Sequence, residues 1–312
     1  MNLQLEPILS EIEKAVVGKR GVIEKILMAL LAEGHILLDD VPGVGKTTLA
    51  VALSRALGLD FSRIQFTPDV LPSDIIGFSV YDRQSGEFVY RPGAVTNANL
   101  LLGDEINRTS SKTQSALLEA MEERQITVDG HTYPLPKPFI VIATQNNVGT
   151  AGTQLLPYAQ MDRFLVRLSV GYPDRDAQIA MLRARQDENP LDRVHPVASR
   201  EDVLAMQTAV RAESVSDAIL DYITRLTMAS REHPMLEVGV SPRGALCLCR
   251  MAKARAYLLG RDYVIGEDVQ DVWQDVCAHR VAATPKARLS GTTNADILHD
   301  LLSSVESPDQ RL

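Results

Sequence analysis

The sequence predicts an α/β fold: a parallel sheet flanked by helices, with β-hairpin inserts, followed by a domain made only of helices. Three observations predict it. Residues 36–48, Ile36-Leu37-Leu38-Asp39-Asp40-Val41-Pro42-Gly43-Val44-Gly45-Lys46-Thr47-Thr48, read as a buried strand, a glycine loop and a helix start. Residues 99–105 are an apolar strand ending in the adjacent carboxylates Asp104 and Glu105. Strand and helix patterns alternate as far as the Pro173-Asp174 turn and its helix, and past residue 200 only helical periodicity remains.

Composition sets the frame. A chain of 312 residues is long enough for one large domain or two moderate ones. A hydrophobic share of 45% describes an ordinary globular protein. The net charge of −8 gives no general attraction to nucleic acid or anionic membrane, although local basic patches are compatible with it. The first residues are acidic and amphipathic, without the basic segment and apolar core of a secretory signal. No apolar run approaches the ~18 residues that span a bilayer, so the expectation is a cytoplasmic protein without membrane insertion. Cys247 and Cys249, two apart in a helical stretch, point to different faces; with Cys277 they read as core thiols rather than ligands.

Taken in order, residues 3–16 and 20–33 carry apolar side chains at helical spacing, broken at Val17-Gly18-Lys19. That break suits a loop on the adenine side of a nucleotide pocket, while periodicity alone favours a plain interhelical turn. In residues 40–48 the glycines let backbone N–H groups converge on phosphate oxygens, the helix start adds partial positive charge, and Lys46 supplies a full one. Thr47 places a hydroxyl where a magnesium ion would sit. Asp40 stands where the phosphate-loop pattern G-x-x-x-x-G-K-[ST] has glycine.

Residues 61–66 form the next strand, 67–77 a polar loop, and 78–90 a small hairpin, either a contact device or decoration. At the end of the 99–105 strand, Asp104 can hold the metal's water shell and Glu105 can orient and deprotonate an attacking water. A serine-capped helix covers 110–123, and Asp129-Gly130 turns a second hairpin over 124–136. The strand at 138–144 ends in Gln145-Asn146, where an amide can touch the γ-phosphate or serve as a turn residue. Asp162-Arg163 precede another apolar strand. Residues 188–199, with two prolines and no periodicity, divide a core at 1–190 from a helical domain at 191–312. Helices are expected at 200–211, 216–232, 242–258 and 266–280, with no strand among them, and a frayed tail at 303–312. Arg243 in a first helical turn suits a bound anion or solvent equally.

Together these segments resemble the MoxR family of AAA+ ATPases over nearly the whole chain. The resemblance is carried by GHILLDDVPGVGKTTLA, FTPDVLPSDIIG, LLLGDEINRTSSKTQSALLEAMEERQITVDG, FIVIATQN, AQMDRF, VGYPD and SPRGALCLCRMAKARAYLLGRDYVIGEDV. It implies an AAA+ core, an all-α lid, and bound ATP and Mg²⁺. Val17, Gly18, Pro42, Gly43, Val44, Gly45, Lys46, Thr47 and Thr48 would hold the nucleotide, and Thr47 with Asp104 the metal. Glu105 would be the base, Asn146 the sensor-1 amide, Arg163 a finger reaching a neighbour's γ-phosphate, and Arg243 the sensor-2 arginine of the lid. The family pattern makes Asp40 ordinary. The resemblance also implies a homo-oligomer, a hexameric ring, acting like a chaperone in assembly, maturation or metal insertion. Its clients would be proteins, among them von Willebrand factor A domain proteins, with no direct nucleic acid contact. A nucleotide-gated scaffold with little turnover and a magnesium-chelatase-like subunit are alternatives. Asn147, Gly149, Ala151 and Tyr158 depart from the family's proline and glutamates between sensor 1 and the finger.

Overall fold

A computed structural model describes residues 2–146, 156–186 and 189–308. The chain opens with α1 (Glu6–Glu13) and α2 (Arg20–Leu31), then β1 (Ile36–Asp39) and α3 (Lys46–Ala56). β2 (Phe61–Gln65), α4 (Pro72–Ile76) and a hairpin of β3 (Phe78–Asp82) and β4 (Glu87–Arg91) follow. Next come β5 (Leu100–Asp104), α5 (Ser111–Glu123), a second hairpin of β6 (Gln125–Val128) and β7 (His131–Pro134), and β8 (Ile140–Gln145). α6 (Tyr158–Met161), β9 (Val166–Leu168) and α7 (Arg175–Ala184) close the α/β part. The helical part holds α8 (Arg200–Ala212), α9 (Asp217–Glu232), β10 (Leu236–Val238), α10 (Pro242–Leu258), α11 (Gly266–Cys277), β11 (Ala282–Ala283), α12 (Pro285–Leu289) and α13 (Asn294–Ser304).

The central sheet has the order β2-β5-β8-β1-β9, and every pairing in it is parallel. Parallel strands share one polarity, so all the loops that leave them emerge at one end. Asp40, Glu105 and Asn146 therefore lie together at the finishing end, while His35, Phe139 and Leu165 lie at the starting end. With four residues in β1, the two ends are separated by roughly 13 Å of strand. Helix α5 returns along this length, so it leaves the finishing end at Ser111 and reaches the starting end at Glu123.

Burial on both faces follows from this topology, because crossover helices cover each side. Along the strands, successive residues alternate between two cores. Ile36, Leu38, Leu100, Leu102, Ile140 and Ile142 pack toward α1, α2, α3 and the helical domain. Leu37, Leu101, Val141 and Ala143 pack toward α5 and the base of the hairpins. The two hairpins are joined, since Tyr90 of β4 stacks on Tyr133 of β7 with centroids 4.3 Å apart.

Several expectations need correction. The stretch read as a polar loop contains α4, seated by the buried Ile75. The helical domain does hold strands: β10 and β11 pair antiparallel, each too short to show a period in sequence. The proline-containing stretch at 188–199 is no free linker in its described residues, because Pro190 and Val194 are buried and Arg55 donates to the Leu191 carbonyl. Of the tail expected at 303–312, Ser303 and Ser304 still belong to α13, and residues 309–312 lie outside the described residues. Within the described residues no helix is long and apolar enough to cross a membrane.

His35 ties three elements at the starting end. Its Nδ1 accepts from the Val141 N–H at 3.0 Å, which leaves Nε2 to donate to the Met121 carbonyl at 3.0 Å. Burial pushes its pKa down to about 3, well below the ordinary 6.5. The unfolded chain therefore binds the extra proton first, and this stability is present above pH 6.5 and lost as pH falls toward 3. His35→Leu leaves a buried N–H and carbonyl unpaired, so we expect a loss of roughly 2–4 kcal/mol at pH 7. It should also flatten the decline between pH 6.5 and 5, where each such histidine contributes up to about 1.4 kcal/mol per pH unit. Urea unfolding of both chains at the two pH values measures this; parallel slopes would contradict it.

Candidate functional site

At the finishing end, the loop after β1 turns on two left-handed glycines, Gly43 at φ +86 and Gly45 at φ +94. A Cβ built on either meets nothing within 4 Å, so the loop borders open space. Lys46 begins α3, and its Nζ donates to the carbonyls of Asp40 (3.0 Å) and Val41 (3.4 Å) and to Asn146 Oδ1 (2.9 Å). Burial lowers its pKa, while Asp40, Asp104 and their neighbours act the other way. An ammonium held by neutral oxygens beside a loop of backbone N–H groups suits a phosphate.

Asn146 bridges two functions. While its Oδ1 takes the lysine, its Nδ2 donates to Glu105 Oε1 at 2.7 Å. Glu105 sits in the left-handed region at φ 58, a conformation that costs a non-glycine residue on the order of 1–2 kcal/mol. Thr144 fixes the carboxylate pair: its hydroxyl donates to Asp104 Oδ1 (2.6 Å) and accepts from the Glu105 N–H (2.9 Å). Arg63 donates to Asp104 Oδ2 (2.8 Å), and Gln65 (3.1 Å) and Arg108 (2.6 Å) donate to Glu105 Oε2. Among the described residues no three His, Cys, Asp or Glu side chains cluster as a metal cage. Asp104 and the Thr47 hydroxyl at the start of α3 are oxygen donors of the kind Mg²⁺ takes, an ion that keeps waters and uses substrate phosphates as its other ligands.

Asp40 has a structural reason for standing where glycine was expected. Its Oδ2 accepts from the N–H groups of Val170 (2.5 Å) and Gly171 (3.0 Å) and from Ser169 Oγ (3.2 Å). It thereby staples the phosphate loop to the segment after β9. The Val17-Gly18-Lys19 turn reaches the same segment: Lys19 Nζ donates to the Tyr172 carbonyl at 2.7 Å, and a Cβ on Gly18 would lie 2.7 Å from Ala177 Cβ. Residues 17–19, 40–48 and 169–177 thus form one wall.

Arg163 and Arg243 do not join this group. They lie at the starting end, where both pair with Glu122 of α5, Arg163 at 3.2 Å and Arg243 in close contact. A cavity of about 680 Å³ opens there, lined by His35, Glu122, Arg163, Arg243, Arg250 and others, and by none of residues 40–48. Of the residues that depart from the family pattern, Tyr158 is exposed at the start of α6. Asn147, Gly149 and Ala151 lie outside the described residues.

Residues 35–166 match the profile of the ATPase family associated with various cellular activities (AAA), and residues 228–301 match the AAA lid domain. The chaperone MoxR1 of Mycobacterium tuberculosis is 39% identical, the match covering 97% of this chain and 82% of that protein. The chain belongs to the MoxR family of AAA+ ATPases. The uncharacterized Bacillus subtilis protein YeaC is 46% identical, over 98% of this chain and 97% of its own length. A crystal structure of a candidate ATPase from Cytophaga hutchinsonii superposes with a TM-score of 0.91 at 37% identity, covering 98% of this chain and 95% of that one. This ATPase therefore joins an AAA+ core that binds ATP to a helical lid.

Sequence reasoning missed Gln65, Thr144, Arg63, Arg108 and Glu122. Gln65 carried a readable signal, a polar amide at the carboxyl end of a core strand, the same one that singled out Asn146. The staple yields a prediction. Asp40→Ala frees residues 169–171 and should weaken ATP binding about tenfold, roughly 1.4 kcal/mol. Calorimetric titration reads this directly, and unchanged affinity would assign Asp40 no part in shaping the pocket.

Proposed function

We propose that this ATPase is a magnesium-dependent, ring-forming machine whose catalytic site is completed by a neighbouring subunit. The observation that carries the reading is the separation of the two groups of residues. Lys46, Thr47, Asp104, Glu105 and Asn146 stand at the finishing end of the sheet, and Arg163 and Arg243 at the starting end. A single chain cannot bring both to one γ-phosphate, whereas head-to-tail packing of copies can. Closure of such packing gives a ring, which we take to be a hexamer. Arg243 then acts in trans together with Arg163. We set the boundary between core and lid near residue 190.

In this mechanism the N–H groups of residues 42–48 and the Lys46 ammonium hold the phosphates, and the wall at 17–19 and 169–177 takes the adenosine. Thr47 and Asp104 would hold Mg²⁺, which would supply positive charge to offset that of the phosphates. Glu105 accepts the proton of the attacking water as its oxygen bonds the γ-phosphorus and the bond to the leaving ADP oxygen breaks. Asn146 orients Glu105 and is already hydrogen-bonded to it. Arg163 and Arg243 offset charge growing on the transferred phosphoryl group. Their present partner, Glu122, is 36% exposed, and exposed ion pairs of this kind contribute about 0–1 kcal/mol. Glu122 can therefore yield them to a phosphate at little cost.

The β3–β4 hairpin exposes Tyr81 and Phe88 as cross-strand partners on one face and Phe78 on the other, and this hairpin is the surface we assign to protein clients. Because Tyr90 stacks on Tyr133, both hairpins would shift together as subunits rotate. Chaperone-like work on partner complexes is supported by the name of the mycobacterial chaperone MoxR1, and we extend it to von Willebrand factor A domain proteins as candidate clients in a cytoplasmic setting.

Lys46→Ala should abolish nucleotide binding, and Glu105→Gln should bind ATP while losing at least about 10²-fold in turnover. Phosphate release and ATP titration separate the two, and near-normal turnover in Glu105→Gln would exclude this mechanism. Arg163→Ala should lose on the order of 10³-fold alone and recover turnover when mixed with Glu105→Gln subunits.

A further inference from the structure

Arg280, three residues past the end of α11, has a side chain only 1% exposed. Its Nε donates to Asp162 Oδ1 at 2.8 Å. Its other nitrogens donate to the main-chain oxygens of Asp162 (3.2 Å), Phe164 (2.6 Å) and Leu165 (3.1 Å), as well as to Val276 within the lid. Apart from Val276, the His279 ring and the Cys247 thiol, its partners belong to residues 162–165, the segment that carries Arg163. A guanidinium can do this because it offers five N–H donors in a rigid plane, which an ammonium does not. Asp162 also accepts from Ser241 Oγ at 3.2 Å, and that same oxygen accepts from the Gly244 N–H at 3.0 Å to cap α10. The cap of the helix bearing Arg243 and the segment bearing Arg163 thus share one carboxylate.

We propose that Arg280 is a positioning residue for hydrolysis in the adjoining subunit. It locks residues 162–165 to the lid, so that Arg163 and Arg243 keep a fixed spacing and the lid and the finger move as one body. Motion of the lid in one subunit is thereby delivered to its neighbour's γ-phosphate. The inference rests on the trans assignment above and adds to it a residue that touches no nucleotide.

The test uses the unaltered chain and three variants, Arg280→Gln, Arg280→Lys and the milder Asp162→Asn, each measured for ATP affinity, assembly and turnover. Misplacement of a catalytic group by about 1 Å lowers rate on the order of 10²-fold, so Arg280→Gln should lose about that much in kcat with ATP affinity and assembly unchanged. Asp162→Asn should lose roughly tenfold, and Arg280→Lys, which restores the charge but not the fork, should fall between Arg280→Gln and the unaltered chain. Mixed with Glu105→Gln subunits, Arg280→Gln should regain turnover, because its intact P-loop side meets an intact finger. Failure of that mixture while the Arg163→Ala mixture recovers would overturn the role of Arg280 and leave the trans site standing. Failure of both mixtures would overturn the trans site as well. Should Arg280→Gln not fold, Asp162→Asn carries the same mixing test, and an unaltered kcat in that variant overturns the proposal.

Discussion

Parallel strands put the loops that follow them at one end of the sheet and the loops that precede them at the other, and β1 separates Gly34-His35 from Asp40-Val41. The arrangement of this ATPase follows from that polarity. The crevice outside the carboxyl ends of the strands, where the chain changes direction between β1 and β8, collects the groups suited to phosphate. Lys46 and Asn146 face each other across that boundary. Everything that α5 and the segment before β9 deliver, including Glu122 and Arg163, arrives at the opposite end. The lid docks there too, through α10 against α2 and α11 against β9. The charged groups that the proposed reaction uses are thus held apart within a single chain.

The strength of the contacts at each end matches what each has to do. Lys46 is buried and bonded to carbonyl oxygens, which hold its position without neutralising it. Arg280 is buried and bonded to a carboxylate and to main-chain oxygens, an arrangement that resists displacement. The contacts made by Arg163, Arg243 and Arg108 are partly exposed ion pairs, which exchange partners cheaply. Rigid groups set the frame, and in the proposed mechanism the exposed cations Arg163 and Arg243 are the ones that meet a phosphate.

How much of this was legible in the sequence depended on whether the parts were contiguous. The phosphate loop, the Asp104-Glu105 pair and both hairpins lie in short runs with strong local signals, and each forms where its pattern placed it. The register between strands is not local. Gln65 comes beside Glu105 only because it pairs with Asp104 across β2 and β5, and Thr144 is set by the neighbouring β8. The purpose of Asp40 was likewise hidden, since its partners lie 129 to 131 residues away. The local sequence left Arg243 equally suited to an anion or to solvent, and its end of the sheet depends on how the lid docks. Strands of two and three residues, such as β11 and β10, carry no period to detect.

The separation of the two groups of residues has a direct kinetic consequence. ATP turnover per subunit should be measured across protein concentration while sedimentation reports assembly under the same conditions. The account predicts very slow hydrolysis in the isolated subunit and a rise on the order of 10³-fold or more as subunits associate. Turnover that stays constant from the monomer through the assembled state would contradict it.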